Sequence, residues 1–184
     1  MKNNFPVIDC HVHVFDPQRF PYAADAWYRP APAETGNVVQ LGQVLDAHQV
    51  RHALIVGPNS GYGLDNRCLL NALAQGQGRY KGIAVVRNDA SLSELQDLQA
   101  QGVVGVAFNV ALLGTDFYAD TAPLLQRLRD LGLWAQVQVQ DEQLVAMNAS
   151  LLGSGAKGRF DHCGRPNVAA TLGQAGFQHP LQQS

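Results

Sequence analysis

The 184-residue chain has few charges, few cysteines and no long hydrophobic run. Only 15% of its residues are charged and the formal net charge is −2, so we expect no nucleic-acid partner, since nucleic acid attracts basic surfaces. No apolar run approaches the ~18 residues of a membrane-spanning helix, and the N-terminus lacks the apolar segment of a secretory signal. We therefore expect a cytoplasmic protein without a membrane partner.

The three cysteines are odd in number and far apart. No Cys-x-x-Cys pair occurs, so neither a disulfide framework nor a zinc ribbon is predicted. Cys10 lies between Asp9 and His11 in a predicted strand, where neighbouring side chains point to opposite faces. We therefore expect Cys10 to be a small packing residue. With 46% hydrophobic residues the chain can form a core, and we predict one domain over residues 1–184.

The most informative stretch lies near the N-terminus and reads VIDCHVH over residues 7–13. It has the pattern of a short apolar strand. Because side chains two residues apart point to the same face of a strand, Asp9, His11 and His13 share one face. Imidazoles taken out of water must be paired or coordinated. The two histidines therefore indicate a site for a metal ion or for proton transfer.

Helical and strand patterns alternate along the rest of the chain, which predicts parallel β/α/β units. Neither a Gly-x-Gly-x-x-Gly nor a Walker motif follows the first strand, so a doubly wound nucleotide-binding sheet is not favoured. Histidines at the ends of strands suit a TIM-like (β/α) barrel, whose sites lie at the carboxyl ends of its strands. The predicted strands cover residues 7–13, 53–56, 82–86, 103–108, 133–139 and 158–162.

Three glutamines alternate on the fifth predicted strand and its end, at positions 136, 138 and 140. If they face inward, they form a polar layer that hydrogen-bonds a substrate. A hydrated row, or a row of mutually paired amides, is the alternative that the pattern leaves open.

Four stretches resemble the amidohydrolase-related metal-dependent hydrolases. They are VIDCHVHVFDP at the first strand, GLDNR after the second, GVVGVAFN at the fourth and FDHCGRP at the sixth, in the family's order. Within that family the resemblance is to the branch of 2-pyrone-4,6-dicarboxylate lactonases. It implies an α/β fold of the TIM-like (β/α) barrel type, incomplete at about six of eight β/α units. It also implies a hydrolase that opens a lactone of a small organic or sugar acid.

The resemblance assigns the catalytic residues to three histidines. His11 and His13 match a pair that binds one divalent metal, such as zinc or manganese, in metal-using relatives. Lactonases of this branch can also work without a metal. His162 matches the histidine that contacts the scissile group.

The resemblance also assigns residues to the substrate, a small carboxylate or lactone. Tyr28 matches a substrate-contacting tyrosine, Arg87 matches an arginine that holds a carboxylate, and Arg165 is a further candidate. One departure concerns the fourth strand, where the family commonly has an arginine and this chain has Ala107. The loss of one guanidinium clamp favours a lactone with fewer negative charges.

The second departure is the length of the chain. The family continues to a Gly-Ser/Thr-Asp-Trp-Pro motif whose aspartate serves as a base, and eight units take about 250 residues. We expect this chain to be truncated at its C-terminus, with Gly176–Ser184 beginning a further helix. Two alternatives to a lactone hydrolase stay open. One is an inactive partial barrel that only binds a ligand or self-associates, and the other is a related decarboxylase. Open sheet edges would favour homo-oligomers.

Overall fold

The computed structural model describes residues 5–167 and residue 169. These form two compact units, the first made of the residues up to Val85 together with Asp97–Val104, and the second of Val86–Gln96 and the residues from Gly105 onward. The helix expected to begin at residues 176–184 lies outside the described residues. The single domain over residues 1–184 stays a prediction.

Six parallel strands follow one another in sequence order, as the alternating pattern predicts. Within the first unit, β2 pairs with both β1 and β3, and within the second, β5 pairs with both β4 and β6. The strands are β1 (Val7–Val12), β2 (Val50–Val56), β3 (Tyr80–Ala84), β4 (Val103–Asn109), β5 (Trp134–Gln138) and β6 (Lys157–Phe160).

Helices separate the strands, and local capping explains where several begin and end. The Asn37 side chain accepts hydrogen bonds from the Val39 and Gln40 amides, which closes the first turn of α1. Gly132 and Gly155 end α5 and α6 in the left-handed conformation. The helices are α1 (Val38–Ala47), α2 (Arg67–Gly76), α3 (Leu92–Ala100), the single turn α4 (Val110–Leu113), α5 (Ala122–Leu131) and α6 (Gln143–Ser154).

The core of the second unit is formed by one face of its strands and the apolar faces of α5 and α6. These side chains are almost fully buried, and each one larger than alanine contributes about 1.5–3 kcal/mol of hydrophobic stabilisation. The opposite face of β5 carries the glutamines, because side chains alternate along a strand. The core residues include Val106, Phe108, Ala135, Val137, Leu124, Leu125, Leu128, Leu144, Met147 and Leu151.

The GLDNR element forms a structural tie between the segment after β2 and the end of β3. The Asn66 amide donates to the Val85 carbonyl oxygen at 2.8 Å and accepts from the Val85 N–H at 3.0 Å. The Asp65 carboxylate accepts hydrogen bonds from Nε and Nη2 of Arg67, and this pairing holds the pKa of Asp65 below its ordinary value. The element therefore fixes the start of α2 against β3.

The first strand is exposed despite its apolar sequence, and one expectation about it is wrong. Val7 and Ile8 are half exposed, because β2 is the only neighbour with which β1 pairs among the described residues. Cys10 is exposed and is therefore not a packing residue. Within residues 5–167 no helix has the length and apolar character needed to cross a bilayer.

Candidate active site

His11 and His13 lie together at the carboxyl end of β1. Their ring centroids are 5.0 Å apart and the rings are almost perpendicular, as the two-residue spacing predicts. Nδ1 of His13 lies 2.7 Å from the Val56 carbonyl oxygen at the end of β2. Because a carbonyl oxygen only accepts, Nδ1 carries a proton and donates, so in the neutral tautomer Nε2 is the ring atom that would bind a metal or accept a proton. A hydrogen bond from one ring nitrogen to a backbone carbonyl fixes the orientation of the ring, as is typical of metal-binding histidines.

The histidine pair supplies the right donor type for a divalent metal but too few donors. Zinc sites use three or four protein ligands. Among residues 5–167 and 169, no group of three or more histidine, cysteine, aspartate or glutamate side chains is placed to hold a metal. His11 and His13 would therefore supply two ligands of such a site, and the rest of the donor set does not lie among the described residues.

Tyr28 lies in the long loop after β1, where it is partly exposed. Its hydroxyl donates to Glu34 Oε2 at 2.8 Å, and this hydrogen bond to the carboxylate raises the pKa of Tyr28. The pKa of Glu34 is lowered chiefly by the hydrogen bond from the Ala31 N–H and, to a smaller extent, by the hydrogen bond from Tyr28. To donate to a substrate, Tyr28 must first leave Glu34. Aromatic side chains pack this loop: the Phe15 ring meets the Tyr22 ring of the same loop edge-on at 6.4 Å and stacks on the Tyr62 ring, which follows β2, at 5.8 Å.

Arg87 follows β3 and belongs to the second unit. Its guanidinium donates to both carboxylate oxygens of Asp89, at 2.9 and 3.3 Å. Both side chains are more than half exposed, and exposed ion pairs of this kind contribute at most about 1 kcal/mol. A substrate carboxylate could displace Asp89 at small cost, but the guanidinium is already compensated.

His162 does not lie on a strand, because β6 ends at Phe160 rather than at residue 162. His162, Cys163, Gly164 and Arg165 form four consecutive left-handed residues with φ of 51°, 56°, 75° and 44°; we call residues 162–165 the left-handed turn. For residues other than glycine this conformation costs about 1–2 kcal/mol each. Such strain persists only where surrounding contacts enforce it, and it concentrates at functional sites.

The start of the left-handed turn is anchored by Asp161, which is 5% exposed. The Gln136 Nε2 on β5 donates to Asp161 Oδ2 at 3.0 Å. Since an ionised carboxylate only accepts, the amide nitrogen must face Asp161. The Gln136 Oε1 then faces away, and no hydrogen-bond donor reaches this buried atom among the described residues. A buried acceptor left without a donor costs about 1–3 kcal/mol.

The end of the left-handed turn is held by Gln138. With the amide oriented to suit an arginine, which only donates, the Gln138 Oε1 accepts from Arg165 Nη1 at 3.0 Å and Nη2 at 3.3 Å. The Arg165 N–H donates to the His162 carbonyl oxygen at 3.0 Å, and the Asp141 N–H donates to the Arg165 carbonyl oxygen at 3.2 Å. Both ends of the turn are thus bound to β5 or to the segment that follows it.

Arg165 differs from Arg87 in that its guanidinium contacts a neutral amide rather than a carboxylate. It is exposed, and no carboxylate pairs with it within the part of the chain that the structure describes. Its partner Gln138 is a neutral amide and leaves the positive charge in place. Arg165 is therefore the better placed of the two arginines to bind an anion beside His162.

The position at which the family commonly has an arginine, Ala107 in this chain, lies next to the glutamines of β5. Ala107 on β4 pairs with Gln136, and Asn109 pairs with Gln138. Paired residues of neighbouring strands share a face of the sheet, so the small Ala107 side chain lies on the Gln136 side. The sequence did not assign Asp161 to the site, and the alternation of the glutamines was the only signal for them. It left open a substrate-binding layer and a hydrated or mutually paired row, whereas Gln136 and Gln138 contact Asp161 and Arg165.

A separate cavity of about 610 Å³ lies in the first unit, between the loop after β1 and the start of α1. It is lined by Phe15, Asp16, Tyr22, Arg29 and Asn37, among others. None of the six residues that the sequence assigns to the site lines it, so it does not define the site.

Parallel strands alternate with helices, and histidines and an arginine lie at or just beyond the carboxyl ends of β1 and β6; this arrangement defines a β/α-barrel protein with the layout of an enzyme. The sequence pattern of the Amidohydrolase family matches residues 8–181, and the chain belongs to this family. The structure has six of the barrel's eight β/α units among the described residues, as predicted.

Two curated relatives and two solved structures illustrate the similarity. The chain is 29% identical to a 2-pyrone-4,6-dicarboxylate hydrolase of Comamonas testosteroni over 88% of this chain and 52% of that protein. It is 28% identical to a 4-sulfomuconolactone hydrolase of Rhizobium radiobacter over 92% and 57%, respectively. The chain therefore spans about half the length of these curated relatives.

The similar structures cover almost the whole of this chain. An Acinetobacter baumannii protein described as a probable 2-pyrone-4,6-dicarboxylic acid hydrolase, with citric acid bound, has a TM-score of 0.82 and 29% identity over 98% of this chain and 67% of that one. An amidohydrolase of Burkholderia multivorans with bound zinc has a TM-score of 0.71 at 19% identity over 97% and 66%, and shares the fold.

Proposed function

We propose that this chain belongs to a hydrolase that opens the lactone ring of a small organic or sugar acid. The observation that carries the proposal is the left-handed turn, which presents two exposed side chains three residues apart: a histidine and a guanidinium with which no carboxylate of the described residues pairs. On a lactone that carries a carboxylate, the histidine would act at the ester group and the guanidinium would bind the carboxylate. The similarity to two hydrolases, one of them named for a lactone, supports this reading.

The proposed reaction adds water to the lactone carbonyl carbon and breaks the ring C–O bond, so that a hydroxy acid is released. His162 would contact the scissile ester group, where an imidazole can donate a hydrogen bond or transfer a proton. Arg165 would hold a carboxylate, with Arg87 and Tyr28 as further substrate contacts. His11 and His13 complete the catalytic residues, and a divalent metal bound by them would supply a water of lowered pKa.

The β4–β5 register supports a substrate with fewer negative charges than a dicarboxylate. Ala107 cannot hold an anion, and Gln136 beside it presents a neutral amide. An anionic group at this place would lack the guanidinium fork that usually binds it. We propose a lactone that carries one carboxylate, or a neutral sugar-acid lactone.

The test is hydrolysis of a panel of mono- and dicarboxylated and neutral lactones by the purified protein, followed as acid release. We expect turnover of a lactone with at most one carboxylate, and we expect His162→Ala to lower kcat/KM by about 10²–10⁴-fold, the usual contribution of acid–base catalysis. The matched control is His48→Ala, which removes an exposed histidine at the end of α1.

Full activity of His162→Ala would contradict the role of that residue. Failure of the 184-residue protein to hydrolyse any lactone of the panel would contradict the proposal and favour the inactive ligand-binding alternative. Release of carbon dioxide from an aromatic acid would favour the decarboxylase.

A further inference from the structure

Two amides on one face of β5 bind the two ends of the segment that carries His162. Gln136 donates to Asp161, immediately before the left-handed turn, and Gln138 accepts from Arg165 at its end. Residues two apart on a strand point to the same side, so a single rigid strand holds both ends. We propose that Gln136 and Gln138 are positioning residues that fix the directions of the His162 and Arg165 side chains.

The first argument is that the left-handed turn cannot be maintained by its own residues. His162, Cys163 and Arg165 are not glycines, and each disfavours a positive φ. Besides the glutamine contacts, the backbone of the turn is held by the Arg165 N–H bonded to the His162 carbonyl oxygen and by the Asp141 N–H bonded to the Arg165 carbonyl oxygen. Loss of the Gln138 contact would therefore remove one anchor from a turn whose non-glycine residues disfavour their own conformation.

The second argument is that burying the Gln136 amide costs more free energy than burying an apolar side chain would. Its Oε1 is buried, and no donor reaches it among residues 5–167 and 169. An apolar side chain of the same length would fill the same volume without an unsatisfied acceptor. The hydrogen bond to Asp161 is the feature that an apolar residue would lose.

The third argument concerns charge. Gln138 holds Arg165 with a neutral oxygen, whereas a carboxylate at the same place would bind more strongly and cancel the guanidinium charge. A neutral partner orients the arginine and leaves it able to bind an anion. This part of the inference rests on the proposed function, in which Arg165 binds a substrate carboxylate.

The first experiment needs no turnover. Amide hydrogen exchange is followed by NMR at the Arg165 and Asp141 N–H groups in Gln136→Met, Gln138→Met and the control Gln140→Met. Gln140 is exposed, and its side chain makes no hydrogen bond within the described part of the chain. We expect exchange about tenfold faster in Gln138→Met, since one hydrogen-bonded anchor is lost, and unchanged in Gln140→Met.

Gln138→Glu separates positioning from charge. A carboxylate can still bind Arg165, so protection of the two amides should be retained. The KM of a carboxylated lactone should nevertheless rise about tenfold or more, since the guanidinium charge is cancelled, while the KM of a neutral lactone stays unchanged. Gln138→Met should raise the KM of the carboxylated lactone alone, and Gln136→Met should lower kcat through His162.

Equal exchange rates in Gln138→Met, Gln140→Met and the unaltered protein would overturn the inference. If Gln136→Met does not fold, the two Gln138 variants still decide the question. If the unaltered protein hydrolyses no lactone while exchange responds as expected, the proposed function fails and the positioning role stands. If it hydrolyses lactones while exchange does not respond, the proposed function stands and the positioning role fails.

Discussion

Replacement of Gly164 by alanine tests the geometry of the left-handed turn most directly. Gly164 has a φ of 75°, and a Cβ at this position would lie 2.5 Å from Cδ1 of the buried Leu144 on α6. The backbone conformation costs alanine about 1–2 kcal/mol, offset by about 0.4–1 kcal/mol because alanine restricts the unfolded chain. Displacement of Leu144 adds about 1–3 kcal/mol.

The expected loss is therefore about 3 kcal/mol, within a range of about 1–5 kcal/mol, and the central value corresponds to a fall in Tm of about 6–12 °C for a protein of this size. Two control variants separate the contributions, as measured by thermal and urea unfolding. Gly132→Ala has a similar φ but no atom within 4 Å of its Cβ, and should cost about 1 kcal/mol. Gly153→Ala in α6 has neither problem and should stabilise by about 0.5–1 kcal/mol.

The comparison between variants decides the outcome. A Gly164→Ala protein that unfolds no earlier than Gly132→Ala would show that the turn does not pack against Leu144. Unfolding at or above the temperature of the unaltered protein would refute the left-handed conformation itself. Leu144→Val lacks the Cδ1 atom, so in the Gly164→Ala background it should recover part of the lost stability.

Two further predictions concern the rest of the chain. Asp65→Asn should destabilise the protein by less than about 1 kcal/mol at pH 7, because the ion pair that it removes is partly exposed. Arg67 lowers the folded-state pKa of Asp65 below its unfolded value, so the difference in stability should disappear as the pH falls through that lowered pKa. Urea unfolding at acidic pH measures this difference. Ellman's reagent should modify Cys10 and Cys163 in the native protein and Cys68 only after unfolding, because burial protects Cys68 and raises its pKa; rapid reaction of all three thiols would contradict the packing around Cys68.

The order of strands and helices followed from local patterns, since most strands are short runs rich in apolar residues and the helices between them have their own periodicity. Boundaries were less predictable, and α2 begins at Arg67 because the preceding residues form the tie to Val85 rather than the helix. The exposure of β1 was not predictable either, because an apolar run does not reveal how many neighbours a strand has.

The sequence by itself determined the family, the parallel β/α order and the six residues assigned to the site, because motif order and periodicity are properties of the chain. Their catalytic and binding roles remain predictions. Only the tertiary structure decided that His162 lies in a left-handed turn after β6, and that Arg165 has a neutral partner while Arg87 has a carboxylate. The contacts of Gln136 and Gln138 join residues more than twenty positions apart. Local patterns carry no information on such pairs, because they form only when β5 and β6 lie side by side.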